Sequence, residues 1–278
     1  MPKNYKESLP KDVLEEYCIN HLLIIPYVEL TISAQCTLHC KDCANFMQYY
    51  DKPAPMNLDN VLAWTNAFLE AVDYIIRFRV MGGEALMQKD LPKVLKVILD
   101  SPKVEQMQLV SNATLIPKPD VMSVLKNPKA SIHFSDYGES VSPKRKMIVD
   151  KCLSEGVMVR ASPYINWSDY GDTSVRTSDI NEIKSIYKSC QNICKHIWNG
   201  ELHVCPRSAH GKALGMIKMK DSDYVRLLDT TVEDRRKQIR ALYDVEYVDA
   251  CACCGVIGCQ KIMPGIQGET IKYKMVAQ

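Results

Sequence analysis

The sequence lacks the features of membrane, secreted and nucleic-acid-binding proteins. Its longest apolar run, residues 21–28, is far too short to cross a bilayer. The first residues, MPKNYKESLPKDVLEEY, are polar and contain no apolar stretch of the kind that a secretory signal requires. The formal net charge is +2 at pH 7, so no strong field favours nucleic acid or an anionic membrane. We therefore expect a cytoplasmic protein without a membrane or nucleic-acid partner.

Strand-like and helix-like runs alternate through the first half of the chain. Apolar and β-branched runs predict strands at 28–33, 74–83, 106–112, 130–136 and 157–164. Helical periodicity predicts helices at 58–72, 91–100, 118–127 and 142–156, after a helical lead-in over residues 1–27. This alternation is typical of an α/β fold with right-handed crossovers. It predicts a partial (β/α) TIM-like barrel of five to six parallel strands.

The pattern changes near residue 168. The segment that follows is polar, and the remainder of the chain holds seven of the twelve cysteines. A small unit without a large apolar core often depends on bound metal for its stability. We predict a barrel domain at 1–168 and a small Cys-rich, cluster-binding domain at 169–278.

The cysteines fall into groups, with only Cys18 and Cys152 standing apart as predicted core residues. A cytoplasmic compartment keeps thiols reduced, so grouped cysteines indicate metal or iron–sulfur ligands rather than disulfides. The first group is Cys36-x3-Cys40-x2-Cys43. Three thiolates on one loop can hold a four-iron cluster and leave one iron open to a further ligand. A zinc site completed by His39 or a distant cysteine is the alternative.

The residues around this loop decide between the alternatives. The loop follows the first predicted strand, and Gly82-Gly83-Glu84 follows the second. This combination resembles the radical S-adenosylmethionine (SAM) superfamily over residues 28 to about 164. The resemblance implies a [4Fe–4S] cluster with an open iron on the three cysteines. It also implies bound SAM, a 5′-deoxyadenosyl radical that abstracts hydrogen from the substrate, and an electron donor of the flavodoxin or ferredoxin type.

The same resemblance assigns SAM-binding residues at the strand ends. Gly82, Gly83 and Glu84 would line the site for the SAM amino group. Ser111 and Asn112 follow the third strand and match the position that contacts the ribose or carboxylate, with Ser135 after the fourth strand a further candidate. Many members carry an aromatic residue where this chain has Asp42, which leaves the adenine contact open.

The C-terminal cysteines also have a recognisable spacing. Cys190-x9-Gly200-x4-Cys205 is followed later by Cys251-Ala-Cys253-Cys254. A hairpin after Gly200 brings thiolates together, and a tight turn from a distant segment can supply two more. The arrangement resembles the twitch domain, the shorter relative of the SPASM domain. That resemblance implies one auxiliary [4Fe–4S] cluster on Cys190, Cys205, Cys251 and Cys254. Cys194 and Cys253 are alternative ligands, and a structural zinc is the alternative metal.

The resemblance also narrows the reaction. Twitch-type relatives include sugar and cyclitol dehydrogenases and epimerases, such as the 2-deoxy-scyllo-inosamine dehydrogenases. We expect no added N-terminal domain of the kind that holds leader peptides, and residues 164–172 combine aromatic, Asp and Asn side chains. Such side chains suit stacking and hydroxyl recognition. We therefore expect an oxidoreductase or epimerase acting on a small polar, carbohydrate-like substrate.

Four residues are candidates for substrate chemistry. Arg160, on the fifth predicted strand, or Asp169 could accept the substrate proton. Cys194 or Cys253 could return a hydrogen atom to a substrate radical. Two other functions are open alternatives: a radical SAM enzyme that modifies a peptide or protein, and a zinc-stapled binding module without catalysis.

Overall fold

The computed structural model describes residues 10–13, 21–190 and 194–268. Its centre is an eight-stranded sheet in the order β5-β4-β3-β2-β1-β7-β8-β9, and a separate two-stranded ribbon pairs β6 with β10. The strands are β1 Ile24–Thr31, β2 Tyr74–Met81, β3 Val104–Ser111, β4 Ala130–Phe134, β5 Val159–Ala161, β6 Trp167–Ser168, β7 Lys195–Trp198, β8 Glu201–His203, β9 Tyr224–Arg226 and β10 Lys261–Ile262.

Helices connect the strands and cover the sheet. They are α1 Leu58–Ala71, α2 Leu91–Asp100, α3 Pro119–Leu125, α4 Arg145–Ser154, α5 Ile180–Ser189, α6 Pro206–Ala213 and α7 Val232–Asp244. Asn57 caps α1, because its side chain accepts a hydrogen bond from the Asn60 backbone N–H. No helix in the described ranges is long and apolar enough to cross a membrane.

The predicted α/β fold with a parallel-dominated sheet is confirmed. Strands β1 to β5 pair in parallel as sequence neighbours, with helices α1 to α4 in the connections. Parallel strands covered on both faces need near-continuous apolar residues, and β1 is buried at every position except Tyr27. Cys152 lies fully buried in α4 as predicted, whereas Cys18 is outside the described residues.

Two predictions of the architecture need correction. The sheet has eight strands rather than five or six, because β7 pairs in parallel with β1 and extends through β8 and β9 as an antiparallel meander. The lead-in is not helical to residue 27, since β1 begins at Ile24. All four β7 residues are buried. Strand β7 pairs with the edge of β1 that β2 leaves open. Without it, the backbone N–H and C=O groups on that edge would have no partner in the sheet.

The second half of the chain also packs on the first through helix α7. Its Arg235 donates a hydrogen bond to the Ala67 carbonyl at 2.8 Å, and its Arg236 donates to the Ala71 carbonyl at 3.1 Å. These contacts close the open carbonyl end of α1 with positive charge. The central sheet also contains strands from both sides of residue 168. The domain boundary placed there stays a prediction.

Candidate active site

The first candidate site is a cavity of about 350 Å³ at the carboxyl ends of the parallel strands. Cys36, Cys40 and Cys43 line it from the loop that follows β1. The ends of three further strands complete this wall with Met81, Gly82, Gly83, Val110, Ser111, Asn112 and Ser135. The structure thus brings together the predicted cluster cysteines and, apart from Glu84, all of the predicted SAM-binding residues.

The glycine pair lets the end of β2 touch the cysteine loop. A Cβ on Gly82 would lie 2.8 Å from the Ser33 carbonyl oxygen, and one on Gly83 would lie 2.4 Å from the Gln35 carbonyl oxygen. Real Cβ atoms do not approach backbone that closely. The Gly83 N–H donates to the Ser33 carbonyl at 2.9 Å, and the Glu84 N–H donates to the Gln35 carbonyl at 2.7 Å. The pair therefore fixes the position of the loop.

Glu84 acts on the strands rather than on the cavity. Its side chain is 1% exposed and does not line the cavity. The carboxylate accepts hydrogen bonds from the Asn112 N–H at 2.8 Å, the Leu86 N–H at 3.0 Å and the Ser111 hydroxyl at 3.1 Å. Burial raises the pKa of Glu84 to about 7, and these donors oppose that rise. The contacts tie the end of β2 to the end of β3.

Asn112 connects the end of β3 to the cysteine loop. Its side-chain amide donates to the Thr37 hydroxyl at 3.0 Å and to the Cys36 sulfur at 3.6 Å. The Ser135 N–H donates to the Ser111 carbonyl at 3.0 Å. This bond joins the end of β4 to the end of β3 in the cavity wall. The contact of Asn112 with Cys36 was not predicted, and the sequence contains no pattern that indicates it.

The three cysteines of the first cavity are half-buried, and N–H donors reach the sulfurs of Cys36 and Cys40. Burial raises the pKa of Cys36 to about 12 and that of Cys40 to about 11, and it raises the pKa of Cys43 as well. The Leu38 N–H donates to the Cys36 sulfur at 3.4 Å, and the Gln267 amide donates to the Cys40 sulfur at 3.5 Å. N–H donors of this kind stabilise thiolates that are bound to iron. The donor set therefore fits an iron–sulfur cluster.

A C-terminal segment that sequence reasoning missed closes over the cysteine loop. The Lys41 N–H donates to the Ile266 carbonyl at 2.8 Å, and the Gly268 N–H donates to the His39 carbonyl at 2.8 Å. Cys40 and Gln267 form an antiparallel bridge between these two contacts. The segment thus holds the part of the loop from His39 to Lys41, which the glycine pair does not contact.

Aromatic side chains form the outer wall of the first cavity. Tyr137 packs edge to face on Trp167, with ring centroids 5.3 Å apart, and both line the cavity with Tyr170. Asp42 and Ser168 add polar groups to the same wall. Residues 164–172 therefore contribute to the cavity through Trp167, Ser168 and Tyr170, whereas Tyr164 is exposed.

The four candidates for substrate chemistry lie outside the first cavity. Arg160 and Asp169 are exposed on the surface. Asp169 accepts a hydrogen bond from the Gly171 N–H at 2.7 Å in a local turn. The buried Cys194 thiol donates to the Glu29 carboxylate at 3.3 Å, and the side chain of Cys253 is buried in the core. The structure thus does not bring these four residues together.

The second candidate site is a cavity of about 400 Å³ lined by Cys190, Cys205, Cys251 and Cys254. Cys190 ends α5, Cys205 caps the start of α6, and the other two lie on the short 3-10 helix Asp249–Cys253 and at its end. The four thiols predicted to bind an auxiliary cluster therefore meet at one place, although they come from three separate segments.

Burial in the second cavity keeps the free cysteines protonated, and one backbone N–H donor opposes this effect at Cys205. Burial raises the pKa of Cys205 to about 11 and that of Cys251 to about 12. The Ser208 N–H donates to the Cys205 sulfur at 3.4 Å, which places this sulfur on the positive end of α6. No group of three or more Cys, His, Asp or Glu in the described ranges is arranged to hold a metal ion.

A buried polar network lies beside Cys194. Glu29 on β1 is 7% exposed and accepts hydrogen bonds from Arg79 at 3.1 Å and from Tyr27 at 3.2 Å. Its second oxygen lies 3.4 Å from His196 Nδ1 on β7. Burial alone raises the pKa of Glu29, but the hydrogen bond and charge of His196 and the charge of Arg79 lower it to about 2. The network thus joins β1 to β2 and β7.

Glu29→Gln is expected to destabilise the protein at neutral pH and to remove part of its acid sensitivity. The pKa of Glu29 falls from 4.5 to about 2 on folding, so its stabilisation is present above pH 4.5 and is lost as pH falls towards 2. That shift corresponds to about 3 kcal/mol. Urea unfolding at pH 7 and pH 3 measures it, with the exposed Glu139→Gln as control. If Glu29→Gln lowered the free energy of unfolding by the same amount at both pH values, this account would be contradicted.

Comparison with known proteins gives partial matches. No family model matches the chain. The GTP 3′,8-cyclase of Stenotrophomonas maltophilia strain R551-3 is 26% identical over 94 residues, 34% of this chain and 28% of that protein. The GTP 3′,8-cyclase of Campylobacter jejuni serotype O:6 is 26% identical over 139 residues, 47% of this chain and 42% of that protein. The chain thus spans less than half the length of the curated relatives it matches.

These relatives support a radical SAM enzyme. Among solved structures, the chain is similar to BtrN in complex with AdoMet and 2-DOIA, with a TM-score of 0.49 and 12% identity over 89% of this chain and 97% of that chain. It is also similar to Streptococcus suis SuiB bound to S-adenosylmethionine, with a TM-score of 0.40 and 16% identity over 54% of this chain and 37% of that chain. A radical SAM enzyme uses SAM and a [4Fe–4S] cluster, and the donor set of the first cavity fits that cluster.

Proposed function

We propose that the chain is a radical SAM dehydrogenase that oxidises a small polar substrate, with a carbohydrate or cyclitol alcohol as the favoured class. The observation that supports this most is the presence of two cysteine-lined cavities, one with three thiols and one with four. Three thiols leave one iron of a cubane open for SAM, whereas four close the cluster. Closed clusters carry electrons and do not bind substrate through iron.

In this proposal each residue of the first cavity has a physical task. Cys36, Cys40 and Cys43 would hold the cluster, and SAM bound there would supply the radical chemistry. Gly82 and Gly83 line the cavity and let the end of β2 pack directly against the loop, which places their backbone beside the SAM amino group. Ser111, Asn112 and Ser135 offer hydroxyl and amide groups at the strand ends for the SAM ribose or carboxylate. Glu84 keeps the ends of β2 and β3 in register.

The placement of the cysteines favours oxidation over epimerisation. Epimerisation needs a hydrogen donor beside the substrate, and in the described residues the first cavity contains no thiol apart from Cys36, Cys40 and Cys43. Oxidation of an alcohol removes one hydrogen atom, one electron and one proton. Bound SAM would supply the group that takes the hydrogen atom, and a cluster held by Cys190, Cys205, Cys251 and Cys254 would accept the electron. Asp42, which lines the cavity, is the proposed base for the proton.

The four-thiol site suits a cluster better than zinc. Zinc with Zn–S bonds of about 2.3 Å in a tetrahedron draws its sulfurs to about 3.8 Å from one another. The four thiols line a cavity of about 400 Å³ together with nine other residues, and this volume has room for a group larger than one ion. An auxiliary [4Fe–4S] cluster on Cys190, Cys205, Cys251 and Cys254 is therefore the proposed occupant.

The outer wall of the first cavity favours a small polar substrate. The rings of Tyr137, Trp167 and Tyr170 offer apolar faces, and Asp42 and Ser168 offer groups that bind hydroxyls. This combination suits the C–H face and hydroxyl groups of a sugar-like ring. A peptide is the alternative substrate, and the experiment below distinguishes it from a carbohydrate-like one.

The test combines metal content with product analysis on the anaerobically reconstituted protein. The wild type is expected to bind about eight irons, and a Cys36/Cys40/Cys43 triple-alanine variant about four. With a chemical or flavodoxin-type reductant, the wild type should form 5′-deoxyadenosine and one equivalent of ketone from a cyclitol or sugar panel. A triple variant that holds zinc and no iron would overturn the auxiliary cluster. Products found only with peptides would overturn the substrate class.

A further inference from the structure

The four-thiol cavity contains two buried cations and no carboxylate. Lys195 on β7 and Arg207 in α6 line it with the cysteines, and no Asp or Glu of the described residues does so. Lys195 is 7% exposed and Arg207 is 8% exposed. Burying charge is costly unless an opposite charge compensates it. The cavity is therefore built for an anionic occupant.

Lys195 has no carboxylate partner in the part of the chain that the structure describes. Its ammonium lies 4.5 Å from the centroid of the Tyr243 ring. Lys195 shares the lining of the cavity with Cys190, Cys205, Cys251 and Cys254. The groups beside it that can carry negative charge are therefore cysteine sulfurs.

Arg207 holds its position through backbone carbonyls rather than through an ion pair. It donates to the Asp172 carbonyl at 2.7 Å, the Gly171 carbonyl at 3.1 Å and the Cys253 carbonyl at 3.3 Å. Its guanidinium lies 4.8 Å from the centroid of the Phe46 ring, and its buried Nε has no hydrogen-bond partner. Arg207 forms no ion pair within the described residues, although its charge also acts on the Asp172 carboxylate on its other side.

We propose that Lys195 and Arg207 are positioning residues that raise the reduction potential of the four-thiol site and make it an electron acceptor. This inference rests on the proposed auxiliary cluster. Four thiolates give an oxidised cubane a net charge of −2, and one added electron gives −3. Two fixed positive charges in a low-dielectric cavity stabilise the reduced form more than the oxidised form. The electron comes from the substrate radical, which is oxidised as the cluster is reduced.

The test measures the potential of the second cluster alone. In the Cys36/Cys40/Cys43 triple-alanine background, an EPR-monitored redox titration is run with Lys195 intact and with Lys195→Met. Loss of the charge is expected to make reduction at least about tenfold less favourable, a shift of about 59 mV to more negative potential for one electron. Lys195→Arg keeps the charge and should stay near the parent value.

The matched control is Lys188→Met. Lys188 is exposed in the last turn of α5, near Cys190, so solvent screens its charge and the potential should not move. If Lys195→Met loses iron, Lys195→Gln provides the same neutralisation with a polar side chain. An unchanged potential in an iron-loaded Lys195→Met or Lys195→Gln protein overturns this inference alone. Zinc in the parent overturns the auxiliary cluster, and the inference with it.

Discussion

Alanine at Gly83 is expected to prevent assembly of the first cluster. A Cβ at this position would lie 2.4 Å from the Gln35 carbonyl oxygen and 2.7 Å from Cys36 Cβ. The Gly83 N–H is held by the Ser33 carbonyl at 2.9 Å, so the end of β2 cannot retreat without breaking this bond. The cysteine loop must move instead. A displacement of about 1 Å at a reacting site costs about 100-fold in rate.

Iron content and 5′-deoxyadenosine formation measure this effect. We expect Gly83→Ala to lose the iron of the first cluster, to keep that of the four-thiol site, and to cleave SAM about 100-fold more slowly or worse. Gly156→Ala is the control, because Gly156 has φ +79° but a Cβ added there would meet nothing within 4 Å. It should cost about 1–2 kcal/mol of stability and keep both clusters. Full iron and normal activity in Gly83→Ala would contradict the role of the glycine pair.

Alanine at any one of the four thiols of the second cavity is expected to remove the auxiliary cluster. Cys205 and Cys251 are the clearest positions, because both line the cavity and stand on different segments. Loss of one ligand opens a closed site that also connects α5, α6 and the 3-10 helix. We expect each variant to keep about four irons of about eight and to lose ketone formation. It should still cleave SAM, since the first cavity is intact.

Cys194→Ala and Cys253→Ala separate this ligand set from the alternatives. Both thiols are buried, yet neither lines the second cavity. Both variants should therefore keep about eight irons, with a loss of stability that reflects a buried side chain. Cluster loss in Cys194→Ala with an intact cluster in Cys190→Ala would reverse the ligand assignment. Loss of iron from the first site in Cys205→Ala would show that the two sites do not assemble independently.

The neighbours of the first cavity show which features local sequence can predict. Cys36, Cys40 and Cys43 stand within eight residues on one loop, so their spacing alone brings them together. The strand ends that carry Gly83 and Asn112 meet because parallel strands present their carboxyl ends on one edge. For Arg160 the sequence predicts only a position on a strand. Which face it takes depends on register, and a shift of one residue reverses the face.

Long-range contacts account for what the sequence did not reveal. Gln267 reaches the Cys40 sulfur across 227 residues, and Arg207 reaches the Cys253 carbonyl across 46 residues. Neither contact carries a periodicity or a spacing that could be recognised. The pairing of β7 with β1 could not be predicted either. An apolar strand can pair with any open sheet edge, and its sequence does not specify which one.

By itself, the sequence determined the parallel α/β alternation, the three-cysteine loop and the glycine pair, since each depends on residues close in the chain or on a regular period. It also predicted the four thiols of the second cavity through their resemblance to a known domain. The tertiary structure decided that these thiols share one cavity and that Lys195 and Arg207 face them. It also decided that Glu84 ties strands together and that the sheet has eight strands. These outcomes depend on packing between distant segments, where the cost of burying charge and unpaired backbone selects one arrangement.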